Sequence, residues 1–402
     1  MSTAPFVSNP TATMRTEAEP RNAAPLHTNL ALFTDSPVFA GTERHLFELA
    51  RAMRAHVDGI VVACPGEGIL ARKARAEGIA VLPLTPEGAI DGRVVAALAR
   101  RLRDGEIDLI HAHNGRSALR ATLAILRAGR GRCVFTQHFL QPDHTTQHGP
   151  KALVFQAAHR WMYRRIDRII AVSEAARRGM IERKEAAESK ITVVPNGIPD
   201  PLEETLRPRS LMRQELGIDP STPLIACVAR LQREKDLPDL VRAMDEVARV
   251  HPEAVCVILG DGDQLETLTQ LIAELRLQQR VRLLGYREDP HSIVHAADLF
   301  VLPSRAEPFG LAILEAMALS RPVIATAAGG PLEIVEPQRT GLLVRPSDPS
   351  ALARAIGDLL CNPALCTDFG RRGRQRYEEH FSCTRMALAT REVYRIALAG
   401  PG

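Results

Sequence analysis

Residues 304–320 read SRAEPFGLAILEAMALS, and the expected fold hangs on this stretch. The run before it, 298–303 (DLFVLP), is apolar and ended by a proline, which predicts a short buried strand. A polar loop over 304–308 follows, and a helix opens at Phe309-Gly310. That helix, 311–319, is apolar on nearly every face, so burial all round is expected rather than along one stripe. Its one ionisable residue is Glu315, and Glu307 stands in the preceding loop with seven residues between the two carboxylates.

A carboxylate in such a helix is costly unless something hydrogen-bonds or neutralises it. One reading pairs Glu315 with an Arg or a backbone donor and leaves Glu307 a solvated loop residue. The other places a ligand beyond the carboxyl end of a parallel strand, where open α/β sheets bind ligands. Free N–H groups of Phe309, Gly310 and Leu311 would then meet an anion, and the two carboxylates would accept from hydroxyls. Phosphate with hydroxyls describes a sugar nucleotide.

Glu307-x7-Glu315 within EPFGLAILEAMA resembles the signature of retaining glycosyltransferases of family 4. The resemblance implies the GT-B fold: two Rossmann-like parallel-sheet domains facing a cleft, with a C-terminal helix crossing back to the first domain. It spans about residues 28–394 and includes Gly329-Gly330, Glu333 and 340–344 (TGLLV).

A chain of 402 residues favours two or three domains. Aromatic residues are only 4% of the chain, which argues against a stacking platform for single-stranded nucleic acid, and no nucleic-acid partner is expected. No apolar run reaches the ~18 residues of a membrane span. Residues 1–25 lack an apolar core and read as a disordered tail rather than a secretory signal. Seven scattered cysteines without C-x-x-C spacing give neither a disulfide framework nor a zinc site, which fits a cytoplasmic protein. Residues 1–200 hold 27 Lys and Arg against 20 Asp and Glu, whereas 201–402 hold 24 against 27. The first half is therefore expected to face something anionic.

Strand-like and helical runs alternate from residue 28, implying right-handed βαβ units and a parallel sheet. The expected organisation is a tail over 1–25, a Rossmann-like acceptor domain over 26–197 and a linker over 198–222. A Rossmann-like nucleotide-sugar domain over 223–380 follows, and then the returning helix over 381–402. Five strands are read in the second domain, at 224–229, 254–259, 281–285, 299–302 and 323–325.

Arg230 ends the strand LIACVAR, and Lys235 follows it. Two cations there suit a diphosphate leaving group, and a solvated basic loop is the plainer alternative. They resemble the family's RL-x-x-x-K segment, which implies that they hold the donor phosphates. Gly260-Asp261-Gly262-Asp263 contains D-x-D, a metal-binding mark in another glycosyltransferase fold. Asp263 with Glu266 reads instead as a capping box on the next helix, so no metal is expected. The family resemblance implies that Gly260 lets the nucleotide approach and that Gly285-Tyr286 meets the base. Gly41, after Phe39-Ala40, permits a sharp turn at a helix start. The family has Gly-Gly there, and Ala40 replaces the first glycine. His138 ends the strand VFTQH, where a structural role is the commoner one, and it matches a family histidine that reaches the donor sugar. His111 and His113 are expected to line or brace the cleft floor. Asn196-Gly197 resembles the family's interdomain turn.

The resulting expectation is a metal-independent hexosyltransferase with no cofactor. It would move a sugar from a UDP- or GDP-type donor to a hydroxyl of a glycan, lipid or polysaccharide precursor, with retention. Catalysis would fall to His138, Glu307, Arg230 and Lys235, with Glu315 holding ribose and Glu307 the sugar. A nucleotide-sugar epimerase and a catalytically silent sugar-nucleotide-binding protein share the fold and stand as alternatives. Residues 151–168 interleave Lys151, Arg160, Arg164, Arg165 and Arg168 with Phe155, Trp161 and Tyr163. They read either as a basic surface for an anionic membrane presenting a lipid-linked acceptor or as a solvated helix packing Trp161 inward.

Overall fold

The computed structural model describes residues 25–88, 90–140 and 150–400, with the side chains of 150–155 outside that description. The expected tail, the 141–149 loop and the side chains of Lys151 and Phe155 thus lie outside the described residues.

Seven parallel strands form the first sheet: β1 (Leu26–Phe33), β2 (Val57–Cys64), β3 (Ala80–Pro83), β4 (Leu109–Ala112), β5 (Arg132–Gln137), β6 (Arg168–Ala171) and β7 (Ile191–Val193). Their order is β3-β2-β1-β4-β5-β6-β7. The second sheet holds β8 (Leu224–Val228), β9 (Val255–Leu259), β10 (Val281–Gly285), β11 (Leu299–Leu302), β12 (Val323–Thr326) and β13 (Gly341–Val344), in the order β10-β9-β8-β11-β12-β13. All recorded pairings are parallel. Both orders reverse at the first strand of the domain, which opens a crevice at the carboxyl ends of β1 and β4 and of β8 and β11. The sixth strand, β13, was not among the strands expected. It is four residues long and begins at Gly341, where a side chain would meet the Val323 carbonyl.

Strands β4, β11 and β12 are buried at every residue, as sheets covered on both faces require. The Leu311–Ala318 helix is sheathed as its composition predicts: Ile313, Leu314, Ala316, Met317 and Ala318 are buried. The Arg209–Glu215 helix falls within the 198–222 linker and is tied to the second domain. Arg209 donates to the Ala297 carbonyl at 2.8 Å and Arg213 to that of Ala296 at 3.0 Å.

The last helix, Cys383–Ala399, returns to the first domain. Met386, Ala387, Val393 and Tyr394 share an apolar cluster with Leu30, Leu32, Leu46 and Val194. At the crossing Ile198 donates to Phe381 and Cys383 donates to Ile198. Gly197 lies outside any turn, and a Cβ on it would sit 2.3 Å from the Ser382 carbonyl oxygen. Close approach of two chain passages, more than turn chemistry, accounts for this glycine.

Candidate active site

The two helix starts that the sequence singled out face each other across the cleft. Gly41 opens the Gly41–Met53 helix, and a Cβ there would lie 3.7 Å from Cδ1 of Leu311. Gly310 takes φ +111 and starts the Leu311–Ala318 helix, with Phe309 buried behind it. That backbone favours glycine, and it turns the chain from the loop straight into the helix.

Glu307 is not a solvated loop residue; it is 6% exposed. Its Oε2 accepts from Lys235 Nζ at 2.6 Å and from Ser304 Oγ at 3.1 Å, while its carbonyl accepts from Gly330 N. Lys235 therefore stands with the sugar-assigned carboxylate, whereas Arg230 is exposed and reaches Glu234 at 3.3 Å. The sequence placed these two cations together, but the structure gives them different surroundings.

Glu315, 4% exposed, is paired from both domains. Its Oε1 accepts from Arg44 of the Gly41–Met53 helix, and His291 Nε2 lies 3.7 Å away, an ion-pair separation. Burial pushes the Glu315 pKa up, but Arg44 and His291 outweigh it and hold it down to about 2. His291 is pulled down by burial and pushed up further by Glu315 and Glu204, whose Oε2 is 2.7 Å from its Nδ1, so its pKa is raised. Neither Arg44 nor His291 was among the expected site residues. Each is remote in sequence from Glu315, and a one-dimensional pattern carries no sign of such pairing.

Two more contacts join the domains. Ser173 Oγ donates to the Pro308 carbonyl at 2.9 Å. Glu333 accepts from the backbone N–H groups of Glu174 and Ala175 at 2.9 and 3.1 Å, so a carboxylate of the second domain caps the Glu174–Glu182 helix of the first.

His138 follows β5 and is 8% exposed. Two residues on, Leu140 packs beside Gly329, which bridges to Glu307. The end of β5 is thereby set against the Glu307 loop. His113 and His111, 0% exposed, lie in the floor beneath. His113 Nδ1 is 3.2 Å from His138 Nε2, and His111 is held by Tyr394 and Thr136 at 2.6 and 2.7 Å.

His45, His113 and His138 bring ring nitrogens within 4.8 Å of one another. Burial keeps all three neutral, and His45 is lowered to about 4. Histidines that hold a metal normally pass their second N–H to a carboxylate or carbonyl. Here His113 Nε2 lacks a partner among the described residues, and neither nitrogen of His45 meets a carboxylate or backbone carbonyl. The trio fits a buried imidazole cluster better than a metal centre.

Asp261 and Asp263 are exposed. The expected capping box is absent: the next helix, Leu265–Glu274, begins after Gln264 with no side-chain cap. Its entry is secured by backbone instead, since Gln264 N donates to the Leu231 carbonyl and Leu231 N to that of Asp261. Gly260, at φ +129, would place a Cβ 2.0 Å from the Ala229 carbonyl oxygen, so it lets two loops touch. Tyr286 is 73% exposed beyond β10.

Residues 39–200 match the family described as Glycosyltransferase Family 4, and 208–376 match Glycosyl transferases group 1. A glycogen synthase of Mycobacterium tuberculosis is 31% identical over 297 residues, covering 73% of this chain and 70% of its own. A D-inositol 3-phosphate glycosyltransferase of Nocardia farcinica is 32% identical over 346 residues, covering 80% and 73%. Among solved structures, Anabaena HepE with UDP and glucose superposes with a TM-score of 0.79 at 25% identity, covering 92% of this chain and 100% of its own. The sucrose-phosphate synthase of Thermosynechococcus elongatus gives 0.75 at 23%, covering 93% and 100%. Two matched halves, two facing parallel sheets and relatives of this coverage lead to one conclusion: the chain belongs to the glycosyltransferases of the GT-B fold, which transfer sugars from nucleotide-sugar donors.

Proposed function

We propose that this enzyme is a retaining, metal-independent family 4 hexosyltransferase using a UDP- or GDP-sugar and an acceptor hydroxyl on a glycan or lipid-linked precursor. The observation that carries the reading is Glu307, buried at the cleft with Lys235 at 2.6 Å and beside the start of the Leu311–Ala318 helix. A buried carboxylate oriented by a lysine and a serine hydroxyl is well placed to accept hydrogen bonds from sugar hydroxyls. The adjacent helix N-terminus and Arg230 offer positive potential to a departing diphosphate. On this assignment Glu315 takes ribose hydroxyls through Oε2, leaving Oε1 to Arg44. Gly260 and Tyr286 border the nucleoside, and His138 meets the donor sugar.

Among the described residues, the two cleft carboxylates Glu307 and Glu315 are both committed to cations, which disfavours either as a nucleophile. Front-face attack follows, with a donor phosphate oxygen taking the acceptor proton. Solved relatives support the donor class: HepE binds UDP-glucose at 26% identity. A Corynebacterium glutamicum mannosyltransferase that depends on GDP-mannose is 36% identical over 43% of this chain. Both bases therefore belong in the donor screen.

No helix among the described residues is long and apolar enough to cross a membrane. A cytoplasmic enzyme resting on the inner face of a membrane is proposed on the exposed Arg160, Arg164 and Arg165. The test of the whole reading is nucleotide release with a panel of UDP- and GDP-sugars and candidate acceptors, followed by the anomeric coupling of the product. Release that is independent of acceptor, or an inverted product, overturns it.

A further inference from the structure

We propose that His113 sets the tautomer of His138, so that His138 presents an N–H donor, not a lone pair, to the donor sugar. The role rests on the reading that His138 faces that sugar; the tautomer itself does not.

The two rings come from neighbouring strands. Ala112 of β4 pairs with Phe135 of β5, and each histidine lies just beyond its strand. Their facing nitrogens, His113 Nδ1 and His138 Nε2, are 3.2 Å apart. Both rings are enclosed, and burial holds both neutral at neutral pH. A hydrogen bond between neutral imidazoles needs one proton on that line, so one ring donates and the other accepts.

His113 decides which. Its Nε2 is buried with no partner among the described residues. A proton placed there would be a buried donor without an acceptor, which costs the full desolvation of an N–H. With the proton on Nδ1, His113 donates to His138, and only a lone pair is left unpartnered at its buried Nε2. His138 Nε2 must then accept, so the ring's proton sits on Nδ1. That nitrogen has no partner among the described residues and is the one left for a ligand.

The chemical consequence is specific. An imidazole N–H can hold a hydroxyl or phosphate oxygen, but it cannot take the acceptor proton. His138 would be an orienting donor, with His113 as its positioning residue. His111 does not compete for this role, because Tyr394 and Thr136 occupy both its nitrogens.

Ring-nitrogen NMR of histidine-labelled enzyme reads the tautomer directly, with His138→Gln assigning the resonances. The expected spectrum shows His138 protonated at Nδ1 and His113 protonated at Nδ1. A His138 ring protonated at Nε2 overturns the proposal without any variant having to fold. So does a shift of the His45, His113 and His138 rings together on adding one equivalent of Zn²⁺, which would show a metal site. Kinetics supply the second arm. His113→Phe removes the donor and should lower kcat about tenfold, with nucleoside diphosphate affinity unchanged. His113→Asn restores an N–H and should recover most of the rate. Equal losses in the two variants refute the positioning role. Full transfer activity in His138→Gln would remove the underlying reading of His138 and its role with it.

Discussion

Arg44 of the first domain and Glu315 of the second form an ion pair across the cleft. The carboxylate that the sequence reading gave to ribose is therefore already charged, buried and oriented by a residue from the opposite domain. Glu315→Gln keeps the shape and weakens a charge-assisted hydrogen bond by roughly 1.5–3 kcal/mol. Calorimetry should show nucleoside diphosphate binding weakened by about ten- to hundredfold. Unchanged affinity with a lower melting temperature would make Glu315 a structural link between domains and nothing more.

Glu307→Gln separates the second carboxylate. Lys235 loses its ionised partner at 2.6 Å, and the sugar loses an acceptor. Turnover with the intact donor should fall by at least tenfold, while nucleoside diphosphate binding stays within about threefold. Loss of nucleotide affinity equal to the loss of turnover would contradict the division of labour.

The His291 pair gives a pH signature. Its pKa is raised in the folded chain by Glu315 and Glu204, against the pull of burial. A raised histidine pKa stabilises fully below the unfolded value of about 6.5 and loses that stabilisation as pH rises through the folded value. Melting temperature should therefore decline between pH 6 and pH 8.5 more steeply in the wild type than in His291→Gln. Parallel profiles would show that the pair contributes nothing.

Metal independence is part of the proposed reading, in which Arg230 and the start of the Leu311–Ala318 helix supply the positive potential for the departing diphosphate. Activity after exhaustive chelation should stay near its starting value. A collapse that Mn²⁺ reverses would reassign the leaving-group chemistry.

Membrane contact through the 160–168 region should be electrostatic. Tyr163 is buried, and Trp161 packs on the core with Arg165 stacked 4.2 Å over its ring, so these aromatics are committed inward. Co-sedimentation with anionic vesicles should occur at low salt and fade at moderate salt. Equal binding to neutral vesicles, or none to either, would contradict it.

Much of the architecture was legible because its signals are local. Apolar runs ended by Pro or Gly marked most strands, and the all-round apolar helix carrying Glu315 announced its own burial. The Glu307–Glu315 spacing marked the helix whose Glu315 meets the first domain. Less legible was anything decided by a distant partner. A solvated Glu307 stood as the plainer alternative to a sugar-holding one because nothing near it in sequence reveals Lys235, 72 positions away. Asp263 and Glu266 looked like a cap because the competing backbone carbonyl, that of Leu231, belongs to another loop. Gly197 looked like a turn because Ser382 is nearly half the chain away.

The bond from Tyr394 to His111 makes the first domain discontinuous: its interior is completed by the last helix, after the whole second domain has been made. During synthesis the first sheet must wait for its final covering element. A gene cut near residue 200 would yield a first half lacking part of its own core and a second half ending in an orphaned apolar helix. Supplying residues 381–402 as a fusion to residues 1–200 should restore a folded first domain. The two domains are thus separable by grafting but not by a single scission.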